Sequence, residues 1–216
     1  WNAMAWFEVV GERYADTLPP EQFMYSMLTR SQRISHENLR LRDAQWLGGY
    51  ERWFAEQAGV TVPADKPAPP PMFTPYTVRG LTLKNRVVVS PMAQYSAVDG
   101  VAGDYHLMHL GARAMGGAAM VFAEMTCVSA QGRITPGCPG MYEPGHKQAW
   151  KRITDWIHAN TDAKFAMQIG HAGAKASTRL AWEGIDQPLV DANWPIISAS
   201  EQQYLPGVSQ TAKAMT

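Results

Sequence analysis

Residues 86–96 read RVVVSPMAQYS, and the interpretation of the whole chain starts from this stretch. Residues 86–90 form a continuous run rich in β-branched side chains, which predicts a strand buried on both faces. Strands of this kind are typical of parallel sheets covered by helices. The residues just after the strand, from Ser90 to Ser96, are therefore the first place to look for a ligand site, because ligands of such folds lie beyond the carboxyl ends of the strands.

Downstream of this strand, short apolar runs alternate with amphipathic helices. The pattern predicts helices over residues 104–115, capped by Asp104, and 144–159, and strands over residues 118–125 and 164–169. A β, α, β, α, β succession implies parallel strands joined by right-handed crossovers. The chain then runs from Gly170 for about 45 residues without a clear helix, and a loop this long predicts a functional role.

Upstream, residues 61–72 read TVPADKPAPPPM and hold a third of the prolines. Such a run resists helix and predicts a semi-rigid linker between two units. Helices are expected before it, over residues 20–28 and 44–57, with a short capped helix between them in SQRISHENLRLRD. A small hairpin is expected after it, over residues 76–83.

Composition narrows the classes of function. Lys plus Arg and Asp plus Glu number 19 each, so no net charge attracts nucleic acid or an anionic membrane. With only two cysteines, no basic leader and no apolar run long enough to span a bilayer, we expect a cytoplasmic protein with free thiols. Because the chain runs from Trp1 to Thr216, with neither a natural start nor a natural stop, we interpret it as a fragment.

Three sequence blocks resemble the Old Yellow Enzyme family of NADH:flavin oxidoreductases. They are MFTPYTVRGLTLKNRVVVSPMAQYS at residues 72–96, AEMTCVSAQGRIT at 123–135 and MQIGHAGAKA at 167–176, in the family's order and spacing. The resemblance implies an α/β fold, the N-terminal part of an FMN-binding (β/α)8 TIM barrel over residues 73–216, with about three strands present. It also implies a homo-oligomer for the full-length protein.

The resemblance implies a role for particular residues. The main chain of Ser90, Pro91, Met92 and Ala93 would wrap the flavin, with Met125 at a second contact position. Gln168 would pair with the pyrimidine edge of the ring, since an amide offers a donor and an acceptor side by side. Tyr95 would donate a hydrogen bond to the substrate. NADH or NADPH would reduce the FMN, which in turn would reduce an activated alkene, enone or ring. No catalytic proton donor is identified.

Two positions depart from the family's pattern. Ala93 stands where relatives often place Cys or Thr against a flavin carbonyl, so that means of tuning the reduction potential is missing. Met125 is a large, polarizable side chain where many relatives keep a small one, and it is expected to reshape the pocket.

Residues 1–60 resemble a second protein, the end of the FAD monooxygenase half of bifunctional enzymes such as 2-aminobenzoyl-CoA monooxygenase/reductase. The resemblance is carried by MLTRSQRISHENLRLRD at residues 27–43. It implies a FAD-dependent hydroxylase upstream, although no GxGxxG dinucleotide fingerprint is present in this chain. The substrate would then be a small molecule, in particular an aromatic CoA thioester.

Other interpretations remain open at this stage. His106 and His109 have a spacing that suits a metal, but a convincing third ligand is lacking and no metal site is expected. An aldolase-type barrel is disfavoured because the loops lack a Lys or an acidic cluster at a strand end. The alternative to an enzyme is a truncated, catalytically incomplete module that acts structurally or in docking. Since a closed barrel needs eight strands, we expect the isolated chain to lack turnover and to bind FMN weakly or not at all.

Overall fold

A computed structural model describes residues 20–29 and 43–215 of the chain. These residues fall into two compact units that divide between Val87 and Val88. In the first unit, helix α1 covers Pro20–Thr29 and helix α2 covers Ala44–Gln57. The Asp43 side chain caps α2 by accepting a hydrogen bond from the Trp46 N–H at 2.9 Å. The short helix expected within SQRISHENLRLRD lies outside the described residues.

The proline-rich segment is attached to α2. The Arg52 guanidinium donates to the carbonyl oxygens of Val62 at 2.9 Å and Lys66 at 2.8 Å. A 3-10 helix follows at Pro71–Phe73. Further along, the Arg86 guanidinium lies 4.7 Å from the ring centres of both Phe54 and Tyr76. These cation–π contacts fix the residues after the linker to α2.

The predicted hairpin is confirmed. Strand β1 at Tyr76–Val78 pairs antiparallel with β2 at Leu81–Leu83. The turn between them places Arg79 in the left-handed region, with φ of 53°. The turn consists of Arg79 and Gly80, as the sequence predicted. Of these two residues, only Arg79 has a positive φ.

The second unit contains a parallel sheet with its strands in sequence order. Strand β3 covers Val88–Val89, β4 covers Met120–Cys127 and β5 covers Lys164–Gly170. Helix α3 at Asp104–Met115 connects the first two strands, and α4 at Pro144–Asn160 connects the last two. The predicted β, α, β, α, β succession is therefore confirmed as a mixed α/β fold with parallel pairing. That these are the first strands of an eight-stranded barrel stays a prediction.

The start of α3 differs in detail from the prediction. The residue that precedes the helix is Gly103, and its N–H donates to His106 Nδ1 at 3.2 Å. Asp104 is the first residue of the helix and binds the Arg152 guanidinium of α4 at 2.7 Å. Asp104 therefore stabilises the helix N-terminus by its charge instead of capping it.

The long stretch after β5 has a structure of its own. It contains a 3-10 helix at Gly173–Lys175, a short helix α5 at Ala181–Gly184, and strands β6 at Ile197–Ser198 and β7 at Lys213–Ala214, which pair in parallel. A small core of Ala176, Ile196 and Ala212 holds these pieces together, with Trp194 against it. None of the helices in the described ranges is long and apolar enough to cross a bilayer.

Candidate functional site

The carboxyl ends of the three parallel strands lie side by side. Residues 90–93 follow β3 directly, Met125 lies near the end of β4, and Gln168 lies near the end of β5. Met125 and Gln168 are direct partners in the register of the sheet. Ser90, Met92, Ala93 and Gln168 are exposed, while Pro91 and Met125 are partly buried. The structure thus brings the residues predicted to contact flavin to one edge of the sheet.

A β-bulge in β4 decides which side chains face this site. Phe122 pairs with Ala166, and Met125 pairs with Gln168, so β4 carries one extra residue between these two pairs. Ala166 and Gln168 share a face because alternate residues of a strand point the same way. Phe122 and Met125 therefore share that face too. Phe165 lies on the opposite face of β5 and packs against Trp150 of α4, with 6.2 Å between the ring centres.

The extra residue in the bulge is Glu124, which turns towards the helices. Its carboxylate is buried, with Oε1 3.2 Å from His106 Nε2 on α3. Its other oxygen accepts a hydrogen bond from the Gln94 N–H at 2.9 Å. Since His106 Nδ1 accepts from Gly103, the ring proton lies on Nε2, the nitrogen nearer the carboxylate, although Nε2 makes no hydrogen bond to any described residue. The bulge thereby anchors the loop after β3 without placing a negative charge on the open face.

Hydrogen-bonding groups remain available at the carboxyl ends of the strands. Within the described residues, the Gln168 amide and the N–H groups of Met92 and Ala93 have no recorded hydrogen-bond partner. A ligand with a flat apolar body and a polar edge would accept hydrogen bonds from these donors and would bury the exposed apolar surface beside them. This set of groups suits an isoalloxazine ring, which has that shape and polarity.

Met125 covers the end of the neighbouring strand. A Cβ atom added to Gly170 would lie 2.9 Å from Met125 Cγ and 3.0 Å from its sulfur, so the methionine lies directly against the glycine backbone. The Cys127 thiol lies 3.7 Å from the same sulfur. Both cysteines of the chain are buried and free. The contact with Cys127 lowers the pKa of the Cys138 thiol, which also accepts from Thr135.

Tyr95 is held in an unusual backbone conformation. Its φ is 52°, a left-handed value that a bulky residue adopts only when its surroundings enforce it. Gly137 lies so close that an added Cβ would be 2.3 Å from the Tyr95 carbonyl oxygen, and the Gly137 oxygen accepts from the Ala97 N–H. Burial raises the pKa of the Tyr95 hydroxyl, and the nearby Lys175 opposes this shift only in part. The hydroxyl is therefore a proton-carrying donor at neutral pH.

Sequence reasoning missed a group of side chains near Tyr95. Lys175 Nζ lies 2.6 Å from Asp186 Oδ1, and the Tyr204 hydroxyl donates to Asp186 Oδ2 at 3.1 Å. The hydrogen bond between the charged partners raises the pKa of Lys175 and lowers that of Asp186. The Trp182 ring lies edge-on to Tyr95, with 6.1 Å between the ring centres. Lys175 was within a matched motif, but its partners lie in the stretch without periodicity.

A cavity of about 480 Å³ lies beyond β5 and is distinct from the open sheet edge. His171, Lys175 and Tyr204 contribute to its lining, but none of the seven residues predicted to bind flavin or substrate does. In the described part of the chain, no three potential ligand side chains of His, Cys, Asp or Glu come together in a way that suits a metal ion. The sheet edge is thus the candidate site with the better match to the predicted residues.

The sequence is similar to those of known proteins. Residues 71–213 match the model of the NADH:flavin oxidoreductase / NADH oxidase family. The chain is 40% identical over 149 residues to an NADH:flavin oxidoreductase of Gibberella zeae, an alignment that covers 67% of this chain and 36% of the relative. It is 41% identical over 107 residues to an NADPH dehydrogenase of Bacillus cytotoxicus, covering 49% and 31%.

The fold is also similar to that of solved structures. Morphinone reductase in complex with tetrahydroNAD superimposes with a TM-score of 0.55 and 22% identity, covering 67% of this chain and 40% of the reductase. The chain spans about a third of the length of the curated relatives that it matches. Because the family match extends over well more than half of this chain, the protein belongs to the NADH:flavin oxidoreductase / NADH oxidase family.

Proposed function

We propose that the open face at the carboxyl ends of β3, β4 and β5 binds FMN. The main chain of residues 90–93 and the Met125 side chain would hold the ring, and the Gln168 amide would bind its pyrimidine edge. The observation that carries the proposal is the direct pairing of Met125 with Gln168, at the same edge of the sheet as the residues that follow β3. The unpartnered donors at Met92, Ala93 and Gln168 support it, since buried donors need acceptors once a ligand covers them.

A bound FMN would supply the means of hydride transfer from NADH or NADPH to an activated alkene, enone or ring. Tyr95 would donate its hydroxyl proton in a hydrogen bond to a carbonyl oxygen of the substrate, since its raised pKa keeps it protonated. Such a donor stabilises negative charge that develops on the oxygen as the double bond is reduced. Its fixed backbone means that little reorganisation is needed for this role.

We further propose that the substrate is the reducible ring or alkene of a small molecule, in particular an aromatic CoA thioester, and that a FAD monooxygenase domain precedes residue 60. The sequence MLTRSQRISHENLRLRD supports this fusion. Most of that block lies outside the described residues. The cytoplasmic location and the homo-oligomeric state of the full-length protein stay predictions.

The test is anaerobic reduction of the purified full-length protein. The flavin that denaturation releases from the NADH:flavin oxidoreductase domain should be FMN. Oxidised flavins absorb at about 450 nm. NADH or NADPH should bleach this absorbance, and an enone such as 2-cyclohexenone should restore it. A protein that holds no FMN after reconstitution would contradict the proposal and would favour the structural or docking role instead.

A further inference from the structure

Trp182 is unusually exposed for a side chain beside a candidate ligand site. It lies on α5, and 67% of its surface is accessible. Its recorded ring contact within the described residues is the edge-on contact with Tyr95, at an angle of 68°. Large aromatic side chains gain most from burial, so an exposed indole next to a binding site is a ready surface for an apolar ligand group.

The loop that carries Trp182 is fixed at its base. The N–H and the hydroxyl of Thr178 both donate to the Ile134 carbonyl, at 2.8 Å and 2.9 Å. The Arg179 N–H donates to the Gln187 carbonyl at 2.8 Å, which joins the two arms of the loop. Trp182 lies between these arms. Its position beside Tyr95 is therefore set by the backbone of the loop.

A second tie acts on the far arm of the same loop. Asp186 binds Lys175, which follows β5, and also accepts from Tyr204. Trp182 is thus held close to Tyr95, and the backbone of Tyr95 is itself fixed by Gly137. Two aromatic rings at a steep angle form a corner, in which a third flat ring stacks on one and meets the edge of the other.

We propose that Trp182 is a specificity-determining residue that, together with Tyr95, selects substrates with a flat aromatic ring beside the reducible double bond. Small aliphatic substrates with the same reacting group do not reach the indole and gain nothing from it. This inference rests on the proposed function, because Tyr95 is the proposed substrate donor. It restricts the substrate class further, and the residue responsible, Trp182, lies outside the three sequence blocks shared with the family.

The test compares two ketones that differ only in one substituent, benzylideneacetone with a phenyl group and 3-penten-2-one with a methyl group. Binding to the FMN-loaded, full-length protein is measured by calorimetry without NADH, so that no turnover occurs. Trp182→Ala should weaken binding of the phenyl ketone about fivefold to tenfold, and that of the methyl ketone less than about twofold. Trp182→Phe should retain most of the preference. Ile185→Ala, an equally exposed change on the same loop, should leave both affinities within about twofold.

The outcomes separate this inference from the proposed function. Equal losses for the two ketones, no loss for either, or no preference for the phenyl ketone in the wild type would each overturn the role of Trp182. Turnover with NADH is then measured on the same proteins. A wild type that shows the binding preference but reduces neither ketone would contradict the proposed reaction and leave the role of Trp182 in ring selection supported.

Discussion

The loops that follow β3 and β5 lie at the same edge of the sheet, but they are held in place by different means. The loop after β3 is fixed through its backbone, by the hydrogen bond from Gln94 to Glu124 and by the close approach of Gly137 to Tyr95. The loop after β5 is tied down in addition by side chains, chiefly the contact between Lys175 and Asp186. The contacts of the first loop are with buried residues, so we call it the rigid wall. The Lys175–Asp186 pair is partly exposed, so we call the second loop the adjustable loop, although backbone hydrogen bonds of Thr178 and Arg179 hold its base.

The largest expected effect is the loss of the anchor for the rigid loop. Glu124→Ala leaves the Gln94 N–H without its buried acceptor and removes the carboxylate beside the His106 ring. Loss of a hydrogen bond to a buried carboxylate, together with the cavity left by the shorter side chain, should lower the free energy of unfolding by about 3 to 4 kcal/mol. Urea denaturation of the full-length protein measures this. Glu124→Gln keeps an oxygen for the Gln94 N–H and should lose about half as much; equal losses would show that this hydrogen bond is not the anchor.

A smaller loss is expected where the loop that contains Gly137 meets the rigid wall. Gly137→Ala places a methyl group against the Tyr95 carbonyl, and backbone on both sides limits relaxation. Overpacking of this kind should cost about 2 to 3 kcal/mol and should also weaken FMN binding. Gly145→Ala in α4, where an added Cβ meets nothing within 4 Å, is the matched control. Its stability should change by less than about 1 kcal/mol, and a comparable loss there would contradict the steric explanation.

At β5 we expect a substitution that weakens FMN binding without changing the stability of the fold. Gln168→Leu removes the amide but retains the size of the exposed side chain. The dissociation constant for FMN should rise about tenfold, equivalent to about 1.4 kcal/mol. Quenching of flavin fluorescence during titration of the apoprotein measures it. Lys164→Met, on the same face at the other end of the strand, should leave the constant unchanged. A rise in that control variant would indicate that the flavin does not lie at the carboxyl ends.

The smallest effect is expected in the adjustable loop. A double-mutant cycle of Lys175→Met and Asp186→Asn should give a coupling free energy of about 0.5 kcal/mol at neutral pH, because both groups are partly exposed and solvent screens them. The folded state lowers the pKa of Asp186 and raises that of Lys175. The stabilisation is therefore constant around neutral pH, falls as pH drops through the lowered pKa of Asp186, and falls again as pH rises through the raised pKa of Lys175. A coupling that grows in acid would contradict this assignment.

The same comparison shows what the sequence could predict. The alternation of apolar runs and amphipathic helices was sufficient to identify α4 and β5 to within one residue at each end, and β4 to within two. Strand β3 is shorter than the predicted 86–90 because two of its N–H groups are used elsewhere. The Arg86 N–H donates to the Met72 carbonyl and the Val87 N–H to Asn85 Oδ1, so pairing with β4 begins only at Val88.

Features that depend on tertiary contacts could not be predicted from the sequence. The bulge at Glu124 is a change of register that periodicity does not reveal, since one added residue looks like an ordinary strand in sequence. The contact of Lys175 with Asp186 joins a matched motif to a segment without any repeating pattern. The left-handed Tyr95 depends on Gly137, which lies far from it in sequence. Sequence thus predicted the residues after the strands and not the contacts that orient them.

The most direct test of the central claim is a crystal structure of the full-length protein with FMN bound. We expect the flavin ring in van der Waals contact with Met125, the Gln168 amide within hydrogen-bonding distance of its pyrimidine edge, and the main chain of residues 90–93 along its border. A flavin located in the cavity beside Tyr204, or anywhere that leaves Met125 and Gln168 uncovered, would contradict the account.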